Sequence, residues 1–192
     1  MKRIMLPLTD EIVRSLKAGD RVLLSGYIYT SRDAGHKRMC EALQKGEKLP
    51  FKIDNSVIYY VGPTPAKEGQ IIGSAGPTTS GRMDKYAPIL MQKGLRGMIG
   101  KGERNCEVIS AMKENGCVYF GAIGGAGALL SQCVKSNELI AYEDLGAEAL
   151  RKLYVEDMPL TVIIDSFGNN LYQIGRENYL KNGDIKQGCL TY

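Results

Sequence analysis

Short apolar runs alternate with helical patterns along the whole of this 192-residue chain, and no linker-like stretch separates one part from the next. That alternation restricts the fold to a mixed α/β class, because each strand must share its core with the helices around it. The length suits one domain over residues 1–192, with a polar tail from about residue 182.

Caps, periodicity and breakers set the expected elements. Leu8-Thr9-Asp10 opens a short helix through Leu16, with Ile12, Val13 and Leu16 on one face. Arg21–Thr30 reads as a strand, and Asp33 as the cap of a helix through Gln44. Further strands are expected at Lys52–Val61, Gln70–Ser74, Arg96–Ile99, Cys117–Phe120, Glu138–Tyr142, Leu160–Ile164 and Leu171–Ile174. Helices are expected at Asp84–Lys93, Asn105–Glu114, Ala128–Val134 and Gly146–Leu153, with Gly94 and Asn115-Gly116 as stops. Gly62-Pro63-Thr64-Pro65 and Gly168-Asn169-Asn170 are turn signals.

Composition narrows the function. A hydrophobic content of 44% provides for a sizeable core. No apolar run approaches the ~20 residues of a membrane helix, so a cytoplasmic location is expected. The formal charge of +4 suits an anionic small molecule or an acidic partner surface. Nucleic acid would call for a denser basic stripe with stacking aromatics, whereas the 11 tyrosines are scattered through apparent strands. The five cysteines, Cys40, Cys106, Cys117, Cys133 and Cys189, form no CxxC pair. They suggest neither a disulfide framework nor a local metal site, and read as apolar thiols of a reducing compartment.

The densest chemistry lies in Gly76-Pro77-Thr78-Thr79-Ser80-Gly81-Arg82-Met83-Asp84. Its glycines permit close backbone approach, and Arg82 offers a flat fork matched to a carboxylate. Thr78 and Thr79 read either as turn hydroxyls or as reactive groups. A threonine acts as a base only where cations stabilise its alkoxide. Met83 and Tyr86 read as core residues. Arg32 and His36 stand four apart on one helical face just past a strand end. His36, the only histidine, reads as a hydrogen-bond anchor or as an acid/base group. Arg32 beside Asp33 reads as a local ion pair or as a ligand contact. Lys101, between Gly100 and Gly102, reads as a pocket amine or a solvated loop lysine. Gly121–Gly127 follows a strand and precedes a helix, but neither G-x-G-x-x-G nor a Walker spacing occurs there. The pairs Glu143-Asp144 and Glu156-Asp157 read as caps and solvated faces.

Taken in order, Thr30–Arg38, Gly76–Asp84, Gly100–Arg104 and Gly121–Leu130 resemble class I, iron–sulfur-dependent hydro-lyases. The chain is similar to the β subunit of class I fumarate hydratase, equivalent to the C-terminal domain of the fused enzymes. The L-tartrate dehydratase β subunit shares the plan, and Gly81 before Arg82 leans toward the fumarases. The resemblance implies a single swivelling β/β/α three-layer domain. It implies an α subunit carrying a [4Fe-4S] cluster, so that this chain binds no metal and works in a hetero-oligomer with a small dicarboxylate substrate. It implies Arg32, Arg82 and Lys101 as dicarboxylate-binding cations, Thr78 as catalytic base, and His36 as a lower-ranked acid/base candidate. The cluster iron would take the substrate hydroxyl as a Lewis acid. A noncatalytic dicarboxylate-binding module is the alternative from another class.

Overall fold

The computed structural model describes residues 1–123 and 125–182. Five strands run parallel to one another: β1 (Lys2–Met5), β2 (Arg21–Thr30), β3 (Val57–Tyr59), β4 (Gly97–Gly100) and β5 (Val118–Gly121). β6 (Val134–Ala141) and the 15-residue β7 (Leu150–Ile164) complete a seven-stranded sheet. β7 lies antiparallel to β2, β5 and β6. Because it pairs with both β2 and β5, the ladder β2–β3–β4–β5–β7 closes into a ring, with β1 and β6 attached outside it. The helices are α1 (Asp10–Ser15), α2 (Asp33–Gln44), α3 (Ala87–Gln92), α4 (Cys106–Asn115), α5 (Gly127–Gln132) and α6 (Leu171–Asn182).

Strand periodicity divides the interior in two. Val57 and Tyr59, Ile99, Val118 and Phe120 face one core, together with Val22, Leu24 and Ile28 of β2 and Leu153, Val155 and Leu160 of β7. Ile58, Met98 and Tyr119 face the other, against Met39 of α2, Leu90 and Met91 of α3, and Val108 and Met112 of α4. The short parallel strands are therefore buried on both sides, which explains their unbroken apolar runs.

The caps form where side chains could supply them. Thr9 Oγ1 accepts from the Ile12 amide at 3.3 Å, and Asn105 Oδ1 from the Val108 amide at 2.8 Å. Met83 is fully buried and Tyr86 packs against the second core. No helix among the described residues is long and apolar enough to cross a membrane.

Several expected elements differ. Asp33 is the first residue of α2 and Arg32 occupies the cap position. The strand expected over Lys52–Val61 contracts to β3, because Asn55 turns left-handed at φ 58° just before it. Gln70–Ser74 is a loop held by Thr64, whose amide donates to Ser74 O at 3.0 Å and whose hydroxyl accepts from the Ser74 amide at 2.8 Å. Gly146–Leu153 is no helix: a 3₁₀ stretch ends at Glu148, and β7 begins at Leu150, gripped by β2 on one edge and β6 on the other. Leu171–Ile174 opens α6 instead of forming a strand, with Asn170 Oδ1 accepting from the Tyr172 amide at 3.1 Å. The polar tail past 182 and Cys189 lie outside the described residues.

Candidate active site

Loops leaving the carboxyl ends of parallel strands gather at one edge of a sheet. β2 ends at Thr30 and leads into Arg32, and β4 ends at Gly100 and leads into Lys101. The Gly76–Asp84 segment is drawn to the same edge by its backbone. The Tyr59 hydroxyl donates to Ala75 O, and the Thr78 amide donates to Tyr60 O at 2.8 Å. The Lys101 amide donates to Thr78 O at 3.3 Å, and the Ser80 amide to Lys101 O at 2.9 Å. Thr78 and Lys101 are therefore locked side by side. Gly100 makes this approach possible, since a Cβ there would overlap the Ser80 hydroxyl.

Arg82 sits in the 3₁₀ turn Ser80–Met83 and reaches the start of α2, with Nη1 3.9 Å from Asp33 Oδ2. Arg32 is half-buried. Its guanidinium lies over Gly62, and Nη2 stands 3.4 Å from Glu148 Oε1. The pairing is crossed: Asp33 faces Arg82, and Arg32 faces Glu148. Lys101 is exposed, and its amine has no ion pair or hydrogen bond among the described residues. Thr78 is half-buried. A side chain at Gly81 would meet open space, so neither packing nor backbone strain requires glycine there.

His36 lies underneath, fully buried, with its ring 5.2 Å from that of Tyr60. Its Nδ1 is 3.0 Å from Arg32 O and 2.9 Å from Ser31 Oγ. A carbonyl can only accept, so Nδ1 carries the proton and fastens the backbone of Arg32. Burial pushes the His36 pKa down to about 4; the Arg104 charge adds to this, while the Arg32 carbonyl and Asp33 oppose it. At neutral pH the imidazole is uncharged.

Sequence reasoning missed Glu148, Asp84 and Arg104. Glu148 also accepts from the Ala34 amide at the start of α2, at 3.3 Å. Arg104 is 6% exposed and donates from Nε to Asp84 Oδ1 at 2.7 Å. For Asp84 and Arg104 the one signal in the chain was their position inside the Gly76–Asp84 and Gly100–Arg104 segments; Glu148 lies in neither. The Glu143-Asp144 pair behaves as a solvated face, Asp144 holding Arg38 through both carboxylate oxygens.

Among the described residues no three His, Cys, Asp or Glu side chains are grouped to hold a metal ion. Cys40, Cys106, Cys117 and Cys133 are free thiols. Burial pushes the Cys40 and Cys117 thiols up to about 11 and about 12. The described residues thus do not fit a resident iron–sulfur cluster.

A mixed α/β sheet thus brings Arg32, Arg82 and Lys101 to its carboxyl edge around a hydroxyl loop. Residues 1–175 match the family described as "Fumarase C-terminus", and the chain belongs to that family. It is similar to the aerobic class I fumarate hydratase of Escherichia coli, 41% identical over 175 residues, covering 90% of this chain and 31% of that protein. Fumarate hydratase 2 of Leishmania major is 40% identical over 156 residues, covering 80% of this chain and 28% of that protein. The Methanocaldococcus jannaschii protein named "Putative L(+)-tartrate dehydratase subunit beta" is 37% identical over 185 residues, covering 93% of this chain and 95% of that protein. The chain spans about a third of the length of the fumarate hydratases it matches.

Proposed function

We propose that this chain is the β subunit of a hydro-lyase that reversibly hydrates fumarate to L-malate, active with an α subunit that carries a [4Fe-4S] cluster. One observation carries the reading: Thr78 and Lys101 are joined backbone to backbone at the strand edge where Arg82 and Arg32 also lie. In dehydration, Thr78 Oγ1, as an alkoxide, takes the proton from the malate carbon beside a carboxylate. The C–H electrons form the C=C bond as the neighbouring C–O bond breaks, and the hydroxide leaves toward the partner subunit, whose cluster would supply a Lewis acid for it. Arg82 and Lys101 bind that carboxylate, stabilise the charge that builds on it and lower the cost of the alkoxide. Arg32 holds the other end of the diacid. His36 ranks below Thr78 as an acid/base candidate, and it keeps Arg32 in place.

Charge supports a shared site. Arg32, Arg82 and Lys101 stand against Asp33 and Glu148, which leaves one net positive charge among these groups for a substrate with two negative ones. The balance falls to the partner subunit. Ile123 and Leu129, 74% and 66% exposed, flank the Gly127 segment that touches Gly76, and offer that partner an apolar seat beside the site. We further assign the chain to the swivelling β/β/α three-layer class, supported by its two separate apolar cores, and to the cytoplasm, supported by the four free thiols among the described residues.

A second reading, an L-tartrate dehydratase β subunit, is favoured by the Methanocaldococcus relative, which this chain matches over nearly its whole length. Anaerobic reconstitution with the cluster-bearing subunit, followed by turnover of fumarate, L-malate and L-tartrate, separates the two. Fumarate hydration is expected. Tartrate dehydration in its place would exchange the readings, and binding of diacids without any turnover would leave only the noncatalytic module.

A further inference from the structure

Under the site, one buried ion pair joins the two loops that carry its reactive side chains. Arg104 Nε donates to Asp84 Oδ1 at 2.7 Å, and the two side chains are 0% and 10% exposed. Asp84 Oδ2 accepts from the Asn105 amide at 2.8 Å, so both carboxylate oxygens hold the 104–105 segment. Asp84 closes the loop that bears Thr78 and Arg82, and Arg104 lies three residues past Lys101. The guanidinium also lies 5.4 Å from the Tyr60 ring and 5.1 Å from the Tyr119 ring. Tyr60 O holds the Thr78 amide, and the Tyr119 hydroxyl donates to Gly102 O at 2.9 Å and pairs with Ser80 Oγ at 2.8 Å. Apart from Arg104 Nη1, which meets Met98 Sδ at 3.4 Å, these contacts lead back to the segments of Thr78 and Lys101. A buried ion pair is a weak source of net stability compared with apolar packing, and its best-attested use is to fix one arrangement over others.

We propose that Asp84 and Arg104 are positioning residues whose buried pair sets the spacing of Thr78 and Lys101, without touching substrate. Its catalytic consequence rests on the diacid reading of the site; its structural consequence does not. The test uses Asp84→Asn, Arg104→Gln and the double variant, with hydrogen exchange on the chain and kinetics on the assembled protein.

In each single variant, exchange at the Ser80 and Lys101 amides should speed up on the order of tenfold or more. The Val118 amide, bonded to Arg96 O at the opposite edge, should change by less than about threefold. Fumarate turnover should fall on the order of a hundredfold, mostly in kcat. The double variant keeps a hydrogen-bonded amide pair at the place of the Arg104 Nε contact but leaves the space of the outer guanidinium empty, so it should recover part of both exchange protection and kcat. Uniform acceleration of all amides, unchanged Ser80 and Lys101 amides, or a double variant that restores neither property would overturn the proposal. A wild-type assembly without lyase turnover would defeat the functional reading alone, because exchange still decides the role of the pair.

Discussion

Both ends of the parallel strands collect cations, and they use them differently. At the amino end a cavity of about 500 Å³ is lined by Arg14, Arg96 and Lys113. Arg96 is already engaged there: its Nη2 meets Asp10 Oδ1 at 3.0 Å, and its Nη1 donates to Asn115 O and Gly116 O at the end of α4. That cation completes a helix C-terminus and ties it to the first turn of α1. At the carboxyl end Arg82 is held at only 3.9 Å, and the Lys101 amine has no partner among the described residues. Among the described residues unpaired cations occur at both ends, Arg14 and Lys113 at one and Lys101 at the other; the hydroxyl loop locked to Lys101 is what distinguishes the carboxyl end.

Substitutions at the two ends sharpen this contrast. Thr78→Ala in the assembled protein should lower kcat by about 10²–10⁴-fold with little change in KM, as expected for loss of a proton-transferring group. Steady-state rates with fumarate and L-malate measure it, and near-normal turnover would remove Thr78 as base. Lys101→Met should raise KM for both diacids by roughly a hundredfold, the cost of one charged hydrogen bond. Its urea midpoint should stay close to wild type, since the lysine is exposed.

His36 gives a pH signature. Its folded pKa of about 4 lies below the unfolded value of 6.5, so the unfolded chain binds the extra proton between them. Stability from this group is therefore complete above pH 6.5 and is lost as pH falls toward 4. Wild type should lose roughly 2 kcal/mol more than His36→Gln between pH 7 and 4.5 in urea unfolding. Equal losses would place His36 in a more open setting. The smallest effect belongs to the amino end: Arg96→Ala should cost about 1 kcal/mol of stability and leave turnover per folded enzyme unchanged.

Much of this arrangement was legible in the chain, for local reasons. Arg21–Thr30 appeared as a strand to the residue, because Val22, Leu24 and Ile28 alternate toward one core. α4 was bounded by Asn105 and Gly116, a side-chain cap and a left-handed stop. Thr78, Arg82 and Lys101 were found because glycines frame them in loops. The failures were non-local. The first half of β7 owes its form to partners more than a hundred residues away in β2, and a short segment such as Leu171–Ile174, with Gln173 inside it, fits either a strand or the start of a helix. Asp84, Arg104 and Glu148 went unmarked because what sets them apart, the burial of the first two and the contacts of Glu148 with Arg32 and the start of α2, depends on the assembled fold.

A crystal structure of the assembled protein with L-malate bound tests the central claim most directly. The account predicts one malate carboxylate within about 3 Å of the Arg82 and Lys101 side chains, beside Thr78 Oγ1. Malate seated instead among Arg14, Arg96 and Lys113, or held without contact to this chain, would contradict it.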